Sequence, residues 1–430
     1  MKRLLLRAVA LLIAIALLIA AWMAWANRNP DLAQPAVAPA DPAAQIARGA
    51  YLARAGNCIS CHTARGGQEY AGGRAVPTPF GNIYASNLTP DRATGIGSWN
   101  NDDFWRAMHD GRSKDGRLLY PAFPYPNYTR VTRADTDAIF AYLQTLPAVP
   151  RPNREPELRF PYDQRALLHV WRALYFRPGQ YAADDGKSVE WNRGAYLTQG
   201  LGHCSACHAP RDSFGGTALR EELGGGTIPM LNWYAPPLNG NRANGLGDWQ
   251  APQLVRFLQT GVSAERAVTG PMAEVVHGSL QYLHDDDLHA MAAYLTSLPQ
   301  QLPPPQATPD RMGAAEKQAI LALGQSLYQD RCASCHQANG EGAAGIYPRL
   351  AGNHAVTSPV AVNTIQVVLY GGFPPSTAGN PRPYGMPPFS QAMSDDEVAA
   401  VISYIRNAWG NQGGMVSSTE VNRHRTRQPR

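Results

Sequence analysis

The sequence predicts a mainly α-helical protein built from three tandem helical units behind an apolar N-terminal helix. Three observations carry that expectation. One five-residue motif occurs three times and uses every cysteine in the chain. The segments that flank it return in the same order, which marks a domain repeat rather than a stray motif. Ahead of the first unit, Ala8 to Ala26 form an uncharged run behind a cationic start.

Length and composition set the bounds. The 430 residues suit about three domains at roughly 100 to 200 residues each. A hydrophobic fraction of 44% with 17% charged residues excludes disorder, and the 40 Gly and 36 Pro follow no fibre period. Past residue 26 no apolar run approaches the ~18 residues of a spanning helix, so a polytopic membrane protein is excluded. The net charge of +5 is carried at the ends, by Lys2, Arg3 and Arg7 and by Arg423, Arg425, Arg427 and Arg430. The body is therefore slightly acidic, and no nucleic-acid partner is expected, because phosphate binding needs a clustered basic face. The tail from Arg423 to Arg430 reads as a frayed, solvated end.

The first segment has the pattern of an export signal. Its apolar run exceeds the ~7 to 15 residues of a usual signal core, and Trp22 and Trp25 sit where an interfacial aromatic belt would lie. The expectation is an uncleaved anchor in the inner membrane with the remainder on the periplasmic side. Ala24-Trp25-Ala26 also offers a cleavage site.

The repeated motifs are Cys58-Ile59-Ser60-Cys61-His62, Cys204-Ser205-Ala206-Cys207-His208 and Cys332-Ala333-Ser334-Cys335-His336. Two thiols three apart suit thioether bonds to the vinyl groups of a porphyrin, and the adjoining imidazole is carried beneath the ring to ligate iron. Three covalently bound haem c groups follow, held by Cys58, Cys61, Cys204, Cys207, Cys332 and Cys335, with His62, His208 and His336 on the metal. A thiol redox site would need a βαβ setting, and a zinc site would pair two such knuckles within one small module. Neither setting is present in the flanking sequence.

Landmarks repeat around the motifs. Arg48-Gly49-Ala50-Tyr51-Leu52 returns as Arg193-Gly194-Ala195-Tyr196-Leu197, and the third unit keeps Gly324, Leu327 and Tyr328. Gly95 to Trp99 returns as Gly245 to Trp249, and Phe140 to Pro147 as Ala292 to Pro299, while the third unit closes with Val401 to Trp409. Ile139, Tyr142, Leu143 and Leu146, like Met291, Tyr294, Leu295 and Leu298, share one face of a closing helix. Those helices are expected to stop at Pro147 and Pro299. Asp135, Asp137, Asp285 to Asp287, Asp395 and Asp396 lie near helix starts, where acids favour the positive end of the dipole.

With these segments, and with Ser86 to Asp91, Leu119 to Tyr125, Phe160 to Arg165 and Trp191 to Arg211, the chain resembles class I c-type cytochromes. More narrowly, it resembles the triheme cytochrome c subunits of membrane-bound bacterial dehydrogenases for alcohols, gluconate or sorbitol. The resemblance runs from about Arg48 to Trp409. It implies a mainly α fold of three tandem class I cytochrome c-like domains, each wrapped on a covalent haem, behind the N-terminal hydrophobic helix. It also implies a separate dehydrogenase catalytic subunit as partner, and electrons passed towards ubiquinone or another membrane acceptor. The chain itself is not expected to oxidise the substrate. Two other readings stay open: a multihaem enzyme with an open haem in the first domain, and a free carrier to a terminal oxidase.

The expected boundaries are an anchor or signal over 1–26, a linker over 27–45 and domain one over 46–150. A connecting segment over 151–187 leads to domain two over 188–300. A Pro-rich linker over 301–312, domain three over 313–412 and a basic tail over 413–430 complete the chain. Leu167, Leu168, Trp171, Leu174 and Tyr175 form an apolar helical stripe in the connecting segment. His169, His277, His284 and His289 read as surface or satisfied helix residues.

The resemblance implies a methionine as sixth iron ligand on the loop before each closing helix, and such thioether ligation raises the haem potential. Met386 in Tyr384 to Phe389 fits for unit three, with Met393 read as core or surface. Met272 in Gly270 to Ala273 fits for unit two. Unit one has Phe123 in Pro121 to Tyr125, where many members of the family it resembles have methionine. There the candidates are Met108, His109 or an open site. The His336 ring is expected to donate to the carbonyl of Pro348, and Arg349 to meet either solvent or a haem propionate.

Overall fold

A computed structural model describes residues 2–28, 34–36, 41–217, 222–242, 244–299 and 312–425. The expected Pro-rich linker therefore lies almost wholly outside the described residues. The fold is mainly helical, and it groups into two compact units. The first comprises Met1–Leu52, His62–Ala182 and Asp212–Gly216; the second comprises Ala53–Cys61, Ala183–Arg211 and Thr217–Arg430.

In the first unit, the Lys2–Ala26 helix is long and apolar enough to cross a membrane, and none of its apolar window is buried within the protein. Its end rests on the Leu167–Tyr175 helix, where Asn27 Nδ2 donates to the His169 carbonyl and Arg172 Nε donates to Asn27 Oδ1. Arg172 is 1% exposed and meets Asp110 Oδ1 at 2.7 Å. The expected apolar stripe on this helix is corrected here. Leu167 and Leu174 are exposed, and the buried face is Leu168, Arg172 and Ala173, because the guanidinium is sealed by its carboxylate.

The Asn101–Asp110 helix starts on a capping box made by Asn100 and Asp103 and ends at Gly111, whose φ of 62° closes the helix. The Arg133–Leu143 helix carries Ile139 and Leu143 into the core, as the periodicity predicts. It ends four residues before Pro147, so the proline sits beyond the helix rather than at its end. Its acids do more than favour a dipole: Asp135 pairs with Arg48 at 2.6 Å, and buried Asp137 with Arg133 at 3.0 Å.

Helices cross in the same way at three places. A Cβ on Gly49 would overlap the carbonyl of Ala138, one on Gly194 that of Ala290, and one on Gly324 that of Ala400. Only glycine permits backbones to approach so closely. The second crossing, between the Val189–Gln199 and Asp285–Thr296 helices, repeats the Arg48 pairing as Arg193–Asp287 at 2.7 Å. The third joins Ala314–Arg331 to Asp395–Asn407 over a core of Tyr328, Ile365, Leu369, Val398, Ile402 and Met393.

Among the described residues, five short strands add to a fold expected to be mainly helical. Ala75–Thr78, Gly81–Tyr84 and Glu157–Leu158 form one antiparallel sheet, with Ala75 opposite Tyr84 and Gly81 opposite Leu158. Gly226–Ile228 and Trp233–Ala235 form a hairpin, with Gly226 opposite Ala235. They are too short for alternation to register. The tail is also corrected: Ser418–Arg425 is a helix. Arg425 there binds Asp395 at 2.6 Å and the carbonyls of Ser390 and Met393, so this part is anchored rather than frayed. The tail beyond Arg425 lies outside the described residues.

Candidate haem-binding sites

Each motif folds as one short helical turn, which sets both thiols and the histidine on a single tight arc. The backbone around each histidine is held by one repeated device. The carbonyls of His62, His208 and His336 accept from the N–H groups of Gly72, Gly225 and Gly342 at 2.7, 2.8 and 3.0 Å. These glycines have φ of 72°, 85° and 63°, and a Cβ on any of them would run into neighbouring atoms. Their role was not read from the sequence, although their positions, ten, seventeen and six residues past each histidine, hid the equivalence.

The imidazoles are set alike. His62 Nδ1 meets the Ser86 carbonyl at 2.7 Å, His208 Nδ1 the Pro236 carbonyl at 2.6 Å, and His336 Nδ1 the Pro348 carbonyl at 3.0 Å. The third contact is the one expected from sequence. Ser86 lies two residues past the Gly81–Tyr84 strand and Pro236 directly follows the Trp233–Ala235 strand, so the short strands have a purpose: they deliver a carbonyl to the ring. With Nδ1–H donated, Nε2 is left as a lone pair, the arrangement that fixes a metal-binding imidazole and raises its donor strength. Burial pushes all three histidines below their usual pKa, against the opposing pull of those carbonyls, and so favours the neutral, ligating form.

The thiols match this setting. Burial pushes Cys58 up to about 12, helped by Cys61, and Cys204 up to about 12, helped by Cys207. Cys332 rises to about 11 for the same first reason. Thiol redox sites require a stabilised thiolate in an electropositive setting, which is the reverse. Among the described residues, no group of three or more His, Cys, Asp or Glu side chains is gathered to hold a metal ion without a porphyrin. The donor sets present fit haem c.

The loops that carry the sixth-ligand candidates are pinned to the end of a helix. Leu119 N–H donates to Gly111 O, Val268 N–H to Gly261 O, and Met386 N–H to Gly372 O, each at 2.8 Å. Phe123 lies four residues past the first pinned residue and Met272 four past the second, while Met386 is itself the third; all three side chains are half-buried. Met108 lies elsewhere, 5% exposed on the Asn101–Asp110 helix, three residues before Gly111. Leu258 and Val368, at 7% each, hold the equivalent places before Gly261 and Gly371. His109 is fully buried and stacks on Trp105 at 4.1 Å. Met393 is core, at 5% exposure, and Arg349 faces Glu265 at 3.6 Å.

Paired thiols joined to a histidine with a fixed Nδ1–H define a c-type cytochrome, and the family model for cytochrome c matches residues 46–147 and 321–409. The relatives narrow the class. The cytochrome c subunit of alcohol dehydrogenase (quinone) from Gluconacetobacter polyoxogenes is 38% identical over 404 residues, covering 90% of this chain and 85% of the relative. The gluconate 2-dehydrogenase cytochrome c subunit of Pantoea cypripedii is 37% identical, with 86% of each chain covered. The fructose dehydrogenase cytochrome subunit of Gluconobacter japonicus is 35% identical, with 87% and 82% covered. The chain belongs to this family of dehydrogenase cytochrome c subunits.

Proposed function

We propose that the chain is a three-haem electron relay. On this reading it takes electrons from a separate dehydrogenase subunit and passes them to ubiquinone or another membrane acceptor, on the periplasmic side of the inner membrane. The observation that carries this reading is the threefold identity of the histidine setting, His62 on Ser86, His208 on Pro236 and His336 on Pro348. Three domains follow, over 46–150, 188–300 and 313–412, with Lys2–Ala26 as anchor. Bound haem supplies one-electron chemistry; the protein holds and tunes it.

The residues have separable tasks. The thiol pairs Cys58 and Cys61, Cys204 and Cys207, and Cys332 and Cys335 hold the porphyrins in thioether linkage. His62, His208 and His336 give a neutral nitrogen to iron. Met272 and Met386 give a soft sulfur from pinned loops, which raises the potential. For the first haem the sulfur is that of Met108, presented from a helix. A second reading, an open first haem with enzymatic capacity, is favoured by Phe123 standing at the loop place that Met272 fills.

The test is isolation from the membrane with bound subunits identified, followed by addition of the partner's substrate. Rapid reduction of the haems is expected. Haems that stay oxidised in the presence of a competent partner and its substrate would contradict the relay.

A further inference from the structure

The lead-in to the first motif and the lead-in to the second touch, inside the same compact unit. Asn57, just before Cys58, and His203, just before Cys204, both hold positive φ, 50° and 37°. The His203 ring donates an N–H to the backbone carbonyl of Gly56, two residues before Cys58. Around this bond the segment Arg54 to Ser60 is nailed to the turn that follows the Pro271–Gly278 helix. Buried Ser279 Oγ donates to the Ala55 carbonyl at 3.2 Å, and the Arg54 guanidinium lies 4.8 Å over the Tyr282 ring. Gly278 packs so tightly that a Cβ there would lie 2.6 Å from Ser60 Oγ and 2.7 Å from Asn57 Oδ1.

We infer that this junction is the direct electron contact between the first and second haem sites, with His203 as the positioning residue that holds the two cysteine-bearing edges together. The inference rests on the three-haem reading and adds an order to it: sites one and two are neighbours in transfer. From Cys58 the main chain runs through Asn57 to Gly56, crosses the His203 hydrogen bond, and reaches Cys204 at the next residue. Across it one electron moves at a time: the ferrous iron at one site is oxidised to ferric as the ferric iron at the other is reduced, with no proton or atom transferred. A left-handed, half-buried histidine is an unusual choice where glycine or asparagine would meet the backbone demand alone. The ring's bond to Gly56 supplies the reason for it.

The test uses the full three-haem chain, with Met272→His as background so that the second haem is marked by its changed absorption. A laser flash with a photoreduced flavin injects single electrons, and their redistribution among the haems is followed. His203→Gly keeps the positive φ and removes the ring, and should slow one phase of arrival at the marked haem several-fold while leaving the other phase unchanged. His203→Asn, which tolerates the same backbone and retains an N–H donor, should recover part of the rate. Ser279→Ala cuts a second tie without touching the left-handed residue, and decides the matter if His203→Gly fails to fold with three haems. Redistribution that proceeds at the parent rate in both His203→Gly and Ser279→Ala overturns the junction while leaving the relay standing. Failure of any redistribution in the parent overturns the relay itself.

Discussion

The loop around Phe123 and the loop around Met386 are made by the same backbone device and end in different chemistry. Each is tied to the glycine at or beside the end of a buried helix, Leu119 to Gly111 and Met386 to Gly372, at the same 2.8 Å. In the later loop the tied residue is the methionine itself, so its backbone is held by two main-chain bonds, the second being Gly372 N–H to Met386 O at 3.1 Å. In the earlier loop a phenyl ring stands at the tip and packs on Tyr128 at 5.3 Å. The scaffold is therefore indifferent to what it presents. On the proposed reading, the side chain presented, and not the frame, sets the sixth ligand of each haem and with it the potential.

The largest expected effect comes from exchanging those tips. Met386→Leu should turn the third haem high-spin, lower its potential and open it to carbon monoxide, read by absorption, EPR and redox titration. Met108→Leu should do the same to the first haem, and Phe123→Met should change little while Met108 is bound. If Met108→Leu leaves the spectrum unchanged and Phe123→Met instead removes a carbon monoxide-binding haem, the first site is open and the comparison sharpens to ligand against none.

Next in size is the frame beneath each loop. Arg172→Ala removes one of the two arginines that hold buried Asp110, leaving Arg112 at 2.8 Å, and should destabilise by about 1.5 to 3 kcal/mol in denaturant titration. Gly49→Ala and Gly324→Ala force apart the crossings that carry the first and third regions, each at about 3 kcal/mol or more by the same measurement. Similar losses at both would show that the frames are equivalent; a loss at only one would break that equivalence.

How much of this was legible in the sequence depends on the range of the interaction. The closing helices follow from a strict repeat and are found close to where expected, and the His336–Pro348 contact, which the family resemblance implied, is present. The pairing of Arg48 with Asp135, repeated as Arg193 with Asp287, was visible only as a recurring arginine, because its acid lies some ninety residues on. The glycines Gly72, Gly225 and Gly342 escaped notice because loops of unequal length separate them from their histidines. Arg172 was hidden for another reason: an arginine among leucines reads as solvated until its buried partner is known. The tail was misread because charge alone does not reveal that Asp395 waits for Arg425.

Smaller effects concern helix starts, where the two regions again use one device. Asn100→Ala in the first and Ser394→Ala in the third each remove a capping box and should lower stability by about 1 kcal/mol. The third has a pH signature. The backbone N–H of Ser394, and then its hydroxyl, hold Glu397 below the usual glutamate pKa. A group depressed in the folded state contributes above its unfolded value, and loses that contribution as pH falls through the folded one. Stability should therefore drop slightly below the ordinary carboxylate range, and Glu397→Gln should remove that dependence in melts recorded across acid pH.

The central claim is that all three thiol pairs carry porphyrin. Intact mass of the protein matured under export conditions, read together with the haemochrome spectrum of the unfolded chain, tests it most directly. The account expects the mass of the polypeptide plus three haem groups that survive denaturation. A bare polypeptide, or a chain with one of the motifs unmodified, would contradict it.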